Sequence, residues 1–310
     1  MNETEIDNAL RNCHTLKPKE LIISDLKWKY LVRAILRAKN VMIIGPSGCA
    51  KTMAATCVAK ALNRPVGKFN LGSTQDARAT LIGNTTYKKE TGTVFHKSAF
   101  VKAITTPDTV IILDEFSRGT HDSHNILMTV TDPTQRCLRL DEDDESTLIK
   151  VAEGVSFIAT ANIGNEYTAT KVLDKASARR FPIKLEMSPL TGKELIHLFN
   201  IIFYSKTDDE LKMMTTLSKI SDDLISQCKL EDATISTFIS PANMVEMAEL
   251  VMDGFSLEEI AEAAIYPEYP DDGGADSERS FVKSILQKYI PKDVKSPIND
   301  PLAKKVVIDF

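Results

Sequence analysis

The sequence predicts a three-layer α/β core built on a parallel sheet, followed by an all-helical domain. Three observations lead there. Short, largely apolar runs recur early, at Val41–Ile44 and Val110–Leu113, with a third from Val155 to Thr160. Such runs suit strands covered on both faces, as parallel sheets require. Stretches of helical composition separate them, so strand and helix alternate. After about Ser188 the alternation stops and helical periodicity takes over. Met244, Met247, Ala248 and Val251 fall at i, i+3, i+4 and i+7, and Gly254 closes that helix.

Residues 1–22 form a polar lead-in, expected to be poorly ordered. Residues 23–189 hold the α/β core. Ser24-Asp25 caps a helix that brings Trp28, Leu31, Val32 and Ile35 to one face and ends near Asn40. A strand over 41–44 runs into Gly45-Pro46-Ser47-Gly48. A helix follows from about 50 to 62, stopped by Asn63-Arg64-Pro65. A strand over 66–70 and a short helix over about 75–82 come next. Two β-prone segments around Lys88–Gly92 predict a hairpin at about 83–96. The run 110–113 enters Asp114-Glu115, and a helix follows at about 121–131. A second hairpin, about 135–151, carries the acidic tip Asp141–Glu145, read as a solvated loop with partner binding as the alternative. The last strands lie at 155–160 and 182–187. Beyond the boundary near Pro189, residues 190–295 form the helical domain. It contains a capping-box spacing at Ser256 and Glu259 and a final helix over about 277–289; residues 296–310 are a tail.

Composition narrows the function classes. The chain has 310 residues, 43% of them hydrophobic and 26% charged, as globular chains do. Its net charge of −5 counts against gripping nucleic acid by phosphate neutralisation. Five cysteines (Cys13, Cys49, Cys57, Cys137, Cys228) show no paired spacing and read as reduced thiols. The polar, acidic start does not look like a signal peptide, and no apolar run approaches the ~20 residues of a membrane span. These features predict a cytoplasmic location without membrane insertion.

The chemistry sits at the strand ends. Gly45-Pro46-Ser47-Gly48-Cys49-Ala50-Lys51-Thr52 has phosphate-loop spacing, with Ala50 where Gly is usual. Backbone N–H groups of such a loop, and of the helix it opens, face anionic oxygens. Lys51 is expected on the β- and γ-phosphates, and Thr52 offers its hydroxyl to Mg²⁺. Asp114 and Glu115 end a buried strand, where two carboxylates face the ligand crevice rather than the sheet interior. Asp114 is expected to hold Mg²⁺, and Glu115 to orient and deprotonate the attacking water. Asn162 closes another strand and is placed to bind the γ-phosphate and that water, with a turn-forming Asn as the alternative. Arg179-Arg180-Phe181 offers a cation for a neighbouring copy's γ-phosphate, Arg180 ahead of Arg179, against an exposed surface pair. His121 and His124 lack an evident third metal ligand and read as polar surface residues. Cys49 reads as a small side chain, with an oxidisable switch as the alternative.

These residues resemble the MoxR branch of AAA+ ATPases, P-loop NTPases with a helical lid, in the group of MoxR, NorQ/CbbQ, CobS and GvpN. Gly-Pro-Ser-Gly-Cys-Ala-Lys-Thr looks like that branch's GPPGxAKT loop, where Ala before Lys is ordinary. Leu113–Arg118 resembles its LDEINR or LDEFNR segment, Ile158–Thr170 its first sensor with Asn162 at the sensing position, and Arg180-Phe181 its DRF segment with Arg179 in place of Asp. The resemblance spans roughly Ile35 to Lys288. It implies that the hairpin Tyr87–Phe95 points toward a ring pore. The branch's second sensor is usually an Arg in a Ser-Pro-Arg or Ser-Thr-Arg triplet; here the triplet is Ser240-Pro241-Ala242. Arg118 of a neighbouring copy could substitute for it.

The function this implies is ATP hydrolysis with Mg²⁺ in a ring homo-oligomer, as a hexamer, that remodels, activates or matures a protein client. Relatives often work with a von Willebrand factor A-type partner. Ala242 motivates an alternative, a nucleotide-gated assembly module with weak hydrolysis. A DNA-processing ATPase is a third reading, disfavoured by the acidic balance.

Overall fold

A computed structural model describes residues 3–88, 92–140, 148–162, 175–230 and 232–290. The acidic tip 141–145, the first-sensor stretch beyond Asn162 and the tail 296–310 lie outside them. The chain divides into two compact units, Met1–Ser188 and Pro189–Phe310.

In the first unit, the apolar runs become strands because each side chain finds a layer on its own face. β1 (Val41–Ile44), β5 (Val110–Asp114) and β8 (Ser156–Ala161) are almost wholly buried. β2 (Val66–Asn70) alternates exposed and half-buried positions, and β9 (Ile183–Glu186) is mixed. That is the pattern of edge strands, and the sheet order is β2-β5-β8-β1-β9, parallel throughout. α2 (Asp25–Leu36), α3 (Lys51–Ala61), α4 (Ala77–Leu81), α5 (Ala99–Ile104), α6 (His121–Val130) and α7 (Lys175–Arg179) connect or flank the strands. α5 and α7 are each about a turn and a half, too short to show periodicity in the sequence. β3 (Gly83–Lys88) pairs with β4 (Gly92–Lys97), and β6 (Cys137–Arg139) with β7 (Leu148–Lys150), both antiparallel, where hairpins are expected.

One expectation fails. Residues 3–12 form a helix, α1 (Glu3–Asn12), followed by a 3₁₀ turn at Cys13–Leu16, instead of a poorly ordered lead-in. Tertiary contacts hold it. The Trp28 indole N–H donates to the Cys13 carbonyl at 2.7 Å, Ile6 is buried, and Arg37 donates twice to the Glu3 carboxylate at 2.7 and 2.6 Å.

Among the described residues the second unit is helical: α8 (Gly192–Ile202), α9 (Asp208–Cys228), α10 (Pro241–Met252), α11 (Leu257–Ile260) and α12 (Glu278–Leu286). Capping boxes open α8 (Thr191, Glu194), α9 (Thr207, Glu210) and α11 (Ser256, Glu259). Their apolar stripes meet in a core around Leu217, Ile220, Met247 and Tyr269. No helix among the described residues is long and apolar enough to cross a membrane.

Candidate functional site

Register builds the site. β1 pairs Ile44 with Ala161, and β5 pairs Leu113 with Ala159. In parallel strands that puts Gly45 beside Asn162 and Asp114 beside Thr160, all at the carboxyl edge of the sheet, where α/β folds bind ligands.

The loop after β1 is held close to the chain. Gly45 has φ +151°, and a Cβ there would collide with the Met187 carbonyl, so only glycine fits. Ala50 takes the left-handed conformation (φ 54°, ψ 24°) at the N-cap of α3 and offers no capping side chain. The first N–H groups of α3 therefore lack a side-chain acceptor from that position. Lys51 is buried, and its ammonium donates to the carbonyls of Gly45 at 2.9 Å and Pro46 at 2.5 Å. Burial lowers its pKa, with the nearby charges of Asp114 and Glu115 working the other way. The buried Cys49 thiol is pushed up to about 11 by burial, against the pull of Lys51. At neutral pH it is a protonated thiol, not the thiolate a redox switch uses.

Asp114 is the hub. The Thr160 hydroxyl donates to its Oδ1 at 2.5 Å, the Thr52 hydroxyl donates to the same oxygen at 2.8 Å, and Lys68 Nζ lies 3.2 Å from Oδ2. Burial pushes this carboxyl up; the hydrogen bonds from Thr160, Thr52 and Lys68 outweigh it, and the net pKa is lowered. The Thr160 hydroxyl also accepts from the Glu115 backbone N–H at 3.2 Å. Glu115 sits at φ 51°, ψ 40°, a left-handed conformation that costs a non-glycine residue free energy. Its carboxylate lies over Gly72, where a Cβ would collide with Oε2, and Arg118 Nη1 is 3.3 Å from Oε1. Arg118 is thus engaged by Glu115 of its own chain.

Asn162 is buried at the end of β8. Lys51, Thr52, Asp114, Glu115 and Asn162 therefore gather at one edge of the sheet; Ser47, Gly48 and Cys49 belong to the loop between Gly45 and Ala50. Arg180 is elsewhere, next to the amino end of β9. Its guanidinium donates to the carbonyls of Met128 and Ala176, both at 2.7 Å, and lies 3.5 Å from Asp132. Arg179 is exposed. His121 shares a hydrogen bond with Asn125 at 2.8 Å, and the His124 ring packs edge-on against Phe116 at 4.7 Å. In the second unit Ala242 is exposed in the first turn of α10, and Ser240 caps that helix through the Asn243 N–H.

Sequence reasoning missed Thr160, Lys68 and Gly72. Thr160 carried a signal, since it lies two residues before Asn162 on the same face of the strand. The other two act through strand pairing and a turn that no local pattern announces.

The chain is similar to several known proteins. A curated relative named "Putative chaperone BssE", from Thauera aromatica, is 35% identical over 144 residues, 46% of this chain and 48% of that protein. The chain thus matches about half the length of that relative. An uncharacterised protein of Staphylococcus saprophyticus is 26% identical over 216 residues, covering 66% of this chain and 80% of its own. A mitochondrial Lon protease homologue of Dictyostelium discoideum is 29% identical over 203 residues, 63% of this chain but 20% of that one. Residues 40–181, from the turn before β1 to the residue after Arg180, match the AAA domain of the dynein-related subfamily. The α/β unit, with its five-stranded parallel sheet and flanking helices, is thus similar to an AAA domain over residues 40–181, and a helical unit follows it in the chain.

Proposed function

We propose that this chain is a MoxR-like AAA+ ATPase that binds and hydrolyses ATP in a ring, as a hexamer, to remodel, activate or mature a partner protein. The observation that carries the proposal is the convergence of Thr52 and Asp114, two hard oxygen donors 2.8 Å apart, beside the phosphate-loop Lys51. That donor set fits Mg²⁺, which prefers oxygen ligands and phosphate company. When bound there, Mg²⁺ would offset phosphate charge. Lys51 and the loop N–H groups bind the phosphates. Glu115 orients and deprotonates water, on a backbone fixed by Thr160. Asn162 senses the γ-phosphate from the adjacent strand end. Arg180, with Arg179 as the alternative, serves the site of a neighbouring copy. The chaperone in BssE's printed name supports a protein client, with a von Willebrand factor A-type partner as one form, and ring work of this kind suits the cytoplasm.

The test is Glu115→Gln. Loss of a general base costs about 10²–10⁴ in rate. The variant should bind ATP as the parent does and turn it over at least 100-fold more slowly; unchanged turnover sinks the assignment.

Two observations favour the second reading, a nucleotide-gated assembly module with weak hydrolysis. Ala242 puts no cation in the first turn of α10, and the Arg180 guanidinium is bound within its own chain. Specific ATPase activity that rises with protein concentration supports the remodeller; nucleotide-bound oligomers without turnover support the gate.

A further inference from the structure

At the edge of the sheet opposite the phosphate loop, the amino ends of β1 and β9 border a cavity of about 410 Å³. That lies in the size range of small-molecule sites, ~300–1,000 Å³. Four cations line it: Arg33 from α2, Lys39 from the turn before β1, Arg136 from beyond α6, and Arg180. No carboxylate stands among its described lining residues, although the chain as a whole carries a net charge of −5.

The four differ in how their charge is met. Arg180 has the carbonyls of Met128 and Ala176 and the carboxylate of Asp132. Arg136 donates to the Val155 carbonyl at 2.6 Å and lies over the Phe157 ring at 5.5 Å, both neutral partners, while burial works against its charge. Arg33 and Lys39 have no side-chain partner among the described residues. With Asp132 meeting only Arg180, the remaining cations repel one another, and burial adds to the cost at Arg136. A bound oxyanion reverses both effects. The frame is fixed: Asn40 Nδ2 donates to the carbonyls of Thr131 at 2.7 Å and Arg180 at 2.9 Å, tying the turn before β1 to the segments after α6 and before β9.

We propose that this cavity is a second anion site, separate from the phosphate loop, that takes the phosphate group of a small phosphorylated molecule. Phosphate fits better than a single carboxylate because three arginines, each with a planar fork of donors, line one space. Pro182 and Ile183 give an apolar wall for the uncharged part of the ligand. The site does not depend on what the phosphate loop binds.

The experiment uses the full chain with Lys51→Ala, so that the loop contributes less, and titrates pyrophosphate by calorimetry. In that background Arg33→Gln/Lys39→Gln should weaken pyrophosphate binding at least tenfold. Its unfolding midpoint should not move, since neither side chain has a partner to lose. Lys193→Gln/Lys219→Gln, in the helical unit, removes the same charge elsewhere and should leave affinity within about threefold. Equal affinity with and without Arg33 and Lys39 overturns the proposal, as does no binding in the Lys51→Ala parent. Equal loss in the Lys193/Lys219 protein also overturns it, because net charge alone would then be responsible. A dependence on Arg33 and Lys39 that appears only when an ATP-loaded second copy is added makes the cavity an intersubunit contact and likewise overturns it.

Discussion

Thr160→Val replaces a hydroxyl by a methyl of similar shape at the centre of the site. The hydroxyl makes two bonds, donating to Asp114 Oδ1 at 2.5 Å and accepting from the Glu115 N–H at 3.2 Å. Thr160 is 2% exposed, so water cannot take over either role. A hydrogen bond to a charged acceptor contributes about 1.5–3 kcal/mol, and an N–H left without an acceptor costs about 1–3 kcal/mol. Together the loss is about 2.5–6 kcal/mol, a large share of a typical domain's ~5–15 kcal/mol. Trp28, the chain's one tryptophan, is fully buried in the first unit, so denaturant unfolding followed by its fluorescence reads that unit. Asp114 provides a second readout. Its folded pKa is lowered, so its contribution to stability is complete above the unfolded value of about 3.9 and is lost as pH falls through the folded one. Losing the Thr160 bond raises the folded pKa, so the acid limb of the variant's stability profile should still begin near the unfolded value but be shallower and end at a higher pH. Thr160→Ser keeps the hydroxyl and should retain most of both properties. A Val variant within 1 kcal/mol of the parent, or a Ser variant as weak as Val, would refute the reasoning.

Three further outcomes are expected. Gly72→Ala places a Cβ against Glu115 Oε2; the flexible carboxylate gives way, so stability should change by less than about 1 kcal/mol while ATP turnover falls at least tenfold by misplacing the group. Asn40→Leu removes the donor to two carbonyls, those of Thr131 and Arg180, and should destabilise the first unit by about 2–4 kcal/mol in the same fluorescence assay. Arg180→Ala gives up the bonds to Met128, Ala176 and Asp132 and should cost about 2–4 kcal/mol, whereas Arg179→Ala, at an exposed position, should stay within about 0.5 kcal/mol. Equal stability of those two variants would remove the structural role given to Arg180.

What could be read from the sequence was what is local. The run Val41–Ile44 into Gly45–Thr52, and the run Val110–Leu113 into Asp114-Glu115, are contiguous patterns whose chemistry follows from the turn each strand makes at its end. The alternation of apolar runs and helices gave the layers. Long-range pairing was not legible. Thr160 reaches Asp114 because β8 lies next to β5, and Lys68 reaches it because β2 is the edge strand on the other side. The polar α1 was missed for a related reason. Its apolar stripe is sparse, with Ile6, Leu10 and Cys13 at helical spacing among polar residues, and contacts from Trp28 and Arg37 hold it in place. Arg180 could be recognised as a cation near a strand start, but its partners come from α6 and α7, and only the fold brings those together.

The two charged halves of the site are prepared to different degrees, and the difference bears on how a phosphate would enter. Asp114 already has its partners: two hydroxyls on one oxygen and Lys68 on the other. Lys51 rests on two neutral carbonyls of its own loop. Had Lys51 been paired with Asp114 instead, a ligand would have to break a buried ion pair, and leaving one member of such a pair uncompensated costs about 3–5 kcal/mol. Exchanging carbonyls for phosphate oxygens replaces neutral acceptors by charged ones, which bind an ammonium roughly twice as strongly. Lys68, half exposed on an edge strand, therefore matters beyond its own contact. By meeting the Asp114 charge it leaves Lys51 available, and Lys68→Met should draw Lys51 toward Asp114 and weaken nucleotide binding without touching the phosphate loop.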